Sequence, residues 1–350
     1  MSRALRVMLV ANDGLSTGHV TRMLAIARAL GRQREPAVQP VLVTTSQASL
    51  HDHDVAVIQL PAPAAARRGG IDDGDRRRLV RGTIAGAVDS FAPDLIVIDT
   101  FPSGPHGELA GLASDARRVI VRRAVPAARL DDDVMTAGLA AHALAIVADD
   151  PVAQPMPLPI ATVRVPPITL HEPAELVDRA TARARLGLPA GARVIVIGSG
   201  GGGDREALER AERIARAITR VSDALCVIAR GPLAADQTID DARIRALRVP
   251  PTLLRAFDGA IAAAGYNTAH ELAKAGVPTV LFAQPRPFDD QAARADRFAA
   301  LGLAHVLTAF DDAAIGEALA ALTPPARRLE LGGADRVAAT LVALARGEAA

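Results

Sequence analysis

Short apolar runs rich in β-branched residues alternate with longer segments of helical period from one end of the chain to the other. That alternation admits few folds, because strands separated by helices pair in parallel and stack as βα units. In the first half the strand candidates are RVMLVA (6–11), PVLVTT (40–45), VAVIQL (55–60), DLIVID (94–99), RRVIVRR (117–123) and ALAIVA (143–148). The segments GHVTRMLAIARAL, RRRLVRGTIAGAVDSF and HGELAGLAS between them have helical composition. Proline then becomes too dense for a helix or a central strand, in DDPVAQPMPLPIATVRVPPITLHEP (149–173), which reads as the crossing between two domains. After a helical stretch, AELVDRATARARLGL, the strands resume at ARVIVIG (192–198), ALCVIA (224–229), RIRALRV (243–249), DGAIAAA (258–264) and VPTVLFA (277–283). Helical EALERAERIARAITR, NTAHELAKA and DDQAARADRFAAL intervene.

A chain of 350 residues exceeds one ordinary core and suits two. The predicted fold is therefore α/β, with two tandem Rossmann-like domains, parallel sheets and a ligand cleft between them. The domains run over 1–165 and 166–333. The last amphipathic segment, ADRVAATLVALAR, has no strand after it, so 334–350 is expected to cross back to the N-terminal domain. Aromatics are only 2% of the residues and tryptophan is absent, so the cores must be packed from Ala, Val, Leu and Ile.

Composition also excludes function classes. The formal charge of +1, with both signs interspersed, gives no field for nucleic acid. The basic clusters Arg67–Arg68, Arg76–Arg78 and Arg122–Arg123 read as solvated loops and strand ends, with a specific anion site as the alternative. One cysteine, Cys226, precludes an internal disulfide or a cysteine metal cluster and reads as a small buried hydrophobe. The apolar start is too short for a signal peptide, and the longest nearly uncharged run (134–148) is too short to span a bilayer. A cytoplasmic protein is expected, with at most peripheral contact at the inner face of the membrane.

Ligands of open α/β sheets bind beyond the carboxyl ends of the strands, and four loops there stand out. After the first strand, NDGLSTGHV brings Gly14 and Gly18 to a helix start. His19 then projects from the first turn as a candidate base, with Asp13 in the same loop as the alternative base, and Arg22 one turn on as a cation for the same anion. The alternative is that Ser16 or Thr17 caps the helix and His19 is merely exposed. In the second half, GSGGGGDRE contains GxGxxG at Gly198, Gly200 and Gly203, but the next strand ends in Arg230 and not in an acid. A generic diphosphate cradle at Gly200 and Gly201 survives. In AAAGYNTAHELAKAGVP, Thr268 and Glu271 have capping-box spacing and also follow a strand and Gly265, where a phosphorylated ligand would bind. In QPRPFDDQAARA, Asp289 suits an N-cap, while an Asp–Gln pair suits the vicinal hydroxyls of a sugar. His106 and Glu108 follow the fourth strand and are candidates to line the first domain's share of the cleft. His51 and His53 lack a third zinc ligand at helical spacing; His142, His171 and His305 read as structural or exposed. Asp131–Asp133 match Asp-x-Asp inside an acidic run that reads as a helix start.

Together these pieces, in this order, resemble the two-domain GT-B glycosyltransferases, specifically the MurG-like group. GLSTGHVTRMLAIARAL resembles its N-terminal glycine loop with a GH pair, GSGGGGD and RGPLAADQ the loops opening the donor domain, AGYNTAHELAKAGVPTVLF its donor signature, and RPFDDQAARADRFAALGLA the stretch closing the donor site. The resemblance implies a UDP-sugar or another nucleotide sugar held by the C-terminal domain and an acceptor, small or lipid-linked, held by the N-terminal one. It implies Thr268 on a donor phosphate, Glu271 on the ribose, Asp290 with Gln291 on the sugar, and Gly265 and Asn267 in the same loop. The Gly200–Gly203 backbone would face the diphosphate or the acceptor side. His19 falls on the family's candidate base or phosphate contact. The chain departs from the pattern at Ser16–Thr17 and at Tyr266–Asn267. The expected reaction is inverting transfer to a hydroxyl with no cofactor and no metal, the leaving diphosphate being stabilised by helix N-termini with Arg22 or Arg230. A sugar-nucleotide epimerase of the same fold, an NADP-dependent oxidoreductase and a non-catalytic nucleotide-sugar-binding protein are the alternatives.

Overall fold

β-Branched runs without alternation belong in strands buried on both faces, as parallel sheets require. LRVMLVA is such a run, and Val7 through Ala11 are buried. The computed structural model describes residues 3–12, 17–48, 54–150, 158–198, 200–201, 205–231, 233–234 and 239–348. Asp13, Gly14, Ser16, His51, His53 and Gly203, singled out above, lie outside the described residues. The chain divides into two compact units, Met1–Leu170 with Leu331–Ala350, and His171–Glu330.

In the first unit the described strands are β1 (Leu5–Ala11), β2 (Val38–Thr44), β3 (Ala56–Gln59), β4 (Leu95–Asp99), β5 (Arg117–Arg122), β6 (Leu144–Ala148) and β7 (Thr162–Val165). They form one parallel sheet in the order β3-β2-β1-β4-β5-β6-β7. The helices are α1 (Gly18–Gly31), α2 (Pro63–Arg68), α3 (Asp73–Phe91) and the single turn α4 (Asp133–Thr136). α3 begins where the Asp72 carboxylate accepts from the backbone N–H of Asp75 at 2.8 Å. Its buried apolar stripe is Val80, Ile84 and Val88, packed against Met8, Val10, Ile96 and Ile98.

The second unit holds β8 (Val194–Gly198), β9 (Leu225–Arg230), β10 (Ile244–Arg248), β11 (Gly259–Ala263), β12 (Thr279–Phe282) and β13 (His305–Val306), parallel in the order β10-β9-β8-β11-β12-β13. Its helices are α5 (Arg179–Arg185), α6 (Arg205–Val221), α7 (Tyr266–Ala275), α8 (Gln291–Ala300) and α9 (Asp312–Ala321). Cys226 is buried in its core, as a small hydrophobe would be.

α10 (Gly333–Arg346) belongs to the first unit, as its unattached amphipathic pattern implies. Val337, Ala338 and Leu341 are buried as it packs on α1 and β7. Arg32–Asp335 at 2.6 Å and the Arg346 guanidinium on the Glu35 carbonyl at 2.8 Å fix its ends. A Cβ on Gly333 would stand 2.1 Å from the Pro166 carbonyl oxygen, so no other residue fits there.

Four sequence readings are corrected. HGELAGLAS forms consecutive turns, because Gly104, Gly107 and Gly111 take positive φ and break the helical ladder. AELVDRATARARLGL is helical only from Arg179: the Val177 N–H pairs with the Thr252 carbonyl at 2.9 Å, and Asp178 restarts the chain as an N-cap. The proline-dense crossing contains β7, tolerated because it is an edge strand. Arg76 and Arg122 are buried and not solvated. The Arg122 guanidinium donates to the Met135 carbonyl, and burial pushes its pKa down to about 10.

Candidate functional site

In each sheet the strand order reverses beside the first strand of the unit, between β1 and β4 and between β8 and β11. Such switch points open a crevice at the carboxyl ends of the strands.

At the first switch point, Val10 is in register with Ile98, so Asp99 closes β4 beside Ala11, the last residue of β1. α1 starts at Gly18 with Thr17 at its N-cap, and Thr17 makes no side-chain cap bond. His19 therefore lies in the first turn and Arg22 lies three residues on, on the same face. Both reach Asp99. Arg22 donates from Nε to Oδ1 at 2.7 Å and from a terminal nitrogen to Oδ2 at 2.8 Å, a bidentate pair. His19 Nδ1 is hydrogen-bonded to Oδ2. The Asp99 and Arg22 side chains are 0% and 1% exposed, whereas His19 retains 19%. Burial would raise the Asp99 carboxyl, but Arg22 and then His19 outweigh it and hold it well below the usual carboxylate range. Thr100 follows with φ +62, outside the ordinary range of a β-branched residue, and its hydroxyl donates to Asp99 at 3.3 Å. Such outliers gather at functional sites and persist where neighbours fix them, here the Thr100 N–H on the Val121 carbonyl at 2.8 Å. Phe101 lies beside the imidazole at 5.8 Å between centroids.

Glu108 is buried and joins the same end of the sheet. It accepts from Asn12 Nδ2 at 2.8 Å and from the His106 backbone N–H at 2.7 Å. His106 contributes only that N–H, and its side chain is exposed. Arg22, offered above as a ligand cation, is instead committed to Asp99. The sequence reading missed Asp99: it closes an ordinary apolar strand, and its partners are 77 and 80 residues away. The legible signal was an acid at a strand's carboxyl end.

The second switch point is lined by backbone. Gly198 ends β8 opposite Ala262, and Gly200 follows with φ +97. A Cβ on Gly231, just after β9, would stand 2.2 Å from the carbonyl carbon of Gly201, and the Leu233 N–H donates to the Gly201 oxygen at 3.0 Å. The glycine loop is thus pinned to the end of β9, where Arg230 is half-buried.

α7 starts earlier than capping-box spacing implies. Gly265 takes the N-cap in extended conformation, which places Thr268 inside the first turn, and Glu271 pairs with Lys274 and not with a helix-start N–H. The capping box is absent. Asn267 is half-buried in the same turn, and the Thr268 methyl lies 3.7 Å from where a Gly198 Cβ would be. Asp290, not Asp289, caps α8, accepting from the Ala293 N–H at 3.1 Å. Gln291 accepts from the Gln284 N–H at 3.1 Å and donates to Asp289 at 3.2 Å, and its amide nitrogen lies 3.8 Å from where a Gly265 Cβ would be. Arg294 is buried beneath, donating to the Ala264 carbonyl at 2.9 Å and pairing with Asp289 at 2.8 Å. Gly198, Gly265, Thr268 and Gln291 therefore lie close together at this end of the sheet. Among the described residues, no three His, Cys, Asp or Glu side chains gather to hold a metal ion.

No protein-family model and no curated protein sequence matches the chain. Solved structures do. A spinosyn forosaminyltransferase superposes with a TM-score of 0.61 at 17% identity, covering 99% of this chain and 96% of that one. A spinosyn rhamnosyltransferase complexed with thymidine diphosphate gives 0.58 at 19%, covering 97% and 96%, and its complex with spinosyn aglycone gives 0.57 at 20%, covering 98% and 96%. MurG of Acinetobacter baumannii gives 0.56 at 17%, covering 99% and 100%. With two Rossmann-like parallel-sheet units that share one strand order apart from the extra edge strand β7 of the first, the chain has the GT-B fold of these glycosyltransferases.

Proposed function

We propose that the protein is a glycosyltransferase that moves a sugar from a nucleoside-diphosphate donor to an acceptor hydroxyl, with inversion and without a metal. The observation that carries this reading is the imidazole of His19 fixed by the buried, ionised Asp99. A carboxylate on Nδ1 selects the tautomer whose basic nitrogen is Nε2 and stabilises the imidazolium that forms. The acceptor O–H proton passes to Nε2 as its oxygen bonds to the anomeric carbon. The bond from that carbon to the nucleoside diphosphate breaks, and the leaving group departs with the electron pair. Arg22 acts through Asp99, keeping the carboxylate charged and immobile.

The second unit is the donor-binding part of this proposal. Gly200, Gly201 and the first turn of α7 at Thr268 offer backbone N–H groups and a helix N-terminus to a diphosphate, Glu271 receives the ribose and Gln291 the sugar. The thymidine diphosphate and aglycone in the spinosyn rhamnosyltransferase complexes support a nucleotide donor and a small-molecule acceptor. UDP is the preferred nucleotide on the sequence resemblance. Among the described residues, no helix is long and apolar enough to cross a membrane.

The test is a thermal-shift series with UDP, TDP and GDP on the full chain. A nucleotide at a hundredfold excess over its Kd stabilises by about 2.7 kcal/mol. Flat melting curves with all three would refute the donor site, and sugar transfer surviving His19→Ala at the wild-type rate would refute the base.

A further inference from the structure

α7 carries a buried cation that the reaction above does not use. Lys274 lies one turn after Glu271, its side chain is 0% exposed, and its Nζ pairs with the Glu271 carboxylate, itself 7% exposed. A lysine ammonium has three N–H groups. One of them donates to the His171 carbonyl at 2.6 Å. That carbonyl does not yield, because His171 leads into a 3-10 turn, Pro173–Glu175, closed by a capping box in which the Glu172 N–H donates to Glu175 at 2.7 Å. The ammonium is thus anchored to backbone on one side and aimed at Glu271 on the other. A buried carboxylate with a cation beside it has its counter-charge in place, whereas the same carboxylate alone in an apolar helix–sheet layer would be stranded.

We propose that Lys274 is the positioning residue that makes Glu271 a reader of the ribose, holding its carboxylate so that it accepts from both the 2′- and the 3′-hydroxyl of a nucleoside diphosphate. The inference rests on the donor reading given above. An ionised carboxylate has lone pairs enough for the ammonium and two hydroxyls at once, and prior fixation removes the ordering cost of binding. Lys274 touches no substrate and acts through Glu271.

Isothermal titration of the full chain with UDP and with 2′-deoxy-UDP tests it. The wild type should prefer UDP by about tenfold, the worth of one hydrogen bond to a charged group. Lys274→Met and Glu271→Gln should each abolish that preference, and the double variant should bind UDP as Glu271→Gln does, since the two residues act as one unit. Lys274→Met retaining the tenfold preference, or a double variant a further tenfold weaker than Glu271→Gln, would overturn the proposal. If Lys274→Met does not fold, the double variant, which strands no charge, decides alone by the same comparison. A wild type that binds neither nucleotide, prefers neither, or keeps its preference in Glu271→Gln overturns the ribose contact of Glu271 and the proposal with it. A preference lost in Glu271→Gln but kept in Lys274→Met overturns the positioning role only.

Discussion

Replacing Asp99 with asparagine preserves shape and removes charge from a carboxylate that is 0% exposed and serves Arg22, His19 and Thr100 together. The guanidinium of Arg22, 1% exposed, is then buried without a counter-ion. Breaking a buried pair by removing one partner costs about 3–5 kcal/mol, a large share of the ~5–15 kcal/mol that holds a domain together. With an m-value of about 2 kcal/mol/M in urea, the midpoint should fall by about 2 M. Tryptophan is absent and the single tyrosine, Tyr266, reports the second unit, so hydrogen exchange over β1 and β4 is the suitable probe. The pH dependence has a definite sign. Asp99 is held below its unfolded value of about 3.9, so its contribution is complete above about pH 5 and is lost as pH falls through the unfolded and then the folded value. The wild-type midpoint should therefore converge on that of Asp99→Asn in acid. A shift under about 0.5 M at pH 7, or an equal acid response in both proteins, would refute the electrostatic account.

Other outcomes follow from the same geometry. His19→Ala should lower kcat by about 10²–10⁴-fold while moving the melting temperature little, because the side chain is partly exposed and Arg22 still neutralises Asp99; steady-state kinetics beside a melting curve checks both. Gly333→Ala forces a Cβ to within 2.1 Å of the Pro166 oxygen and should destabilise the first unit by about 2 kcal/mol or more, read as faster exchange in α1. Burial pushes the Cys226 thiol up to about 12, so a disulfide reagent at pH 8 should label the protein only after unfolding.

Most of the fold was legible because parallel strands are buried on both faces and read as continuous apolar runs, as VIVIG and LIVID do. What escaped was decided by tertiary partners. β13 is a two-residue strand, His305–Val306, that exists because β12 lies beside it. The α7 start was misplaced because Thr268 and Glu271 fit a local motif in spacing, yet Gly265 takes the extended N-cap conformation three residues before the N-cap that motif implies. The loops carrying the candidate site were found from their glycines and their place after strands. Asp99 was not, since a carboxylate becomes an imidazole's partner only when β4 is set beside β1 and α1.

The placement of α10 sets an order of assembly. The second unit is continuous from His171 to Glu330, so all of it leaves the ribosome before α10 does. The first unit, though begun earlier, cannot cover the outer face of α1 until its last segment arrives. During synthesis the sheet from β1 to β7 therefore waits with an uncovered flank while a later-made neighbour completes itself, and that interval is when chaperones and proteases have their widest access to the chain.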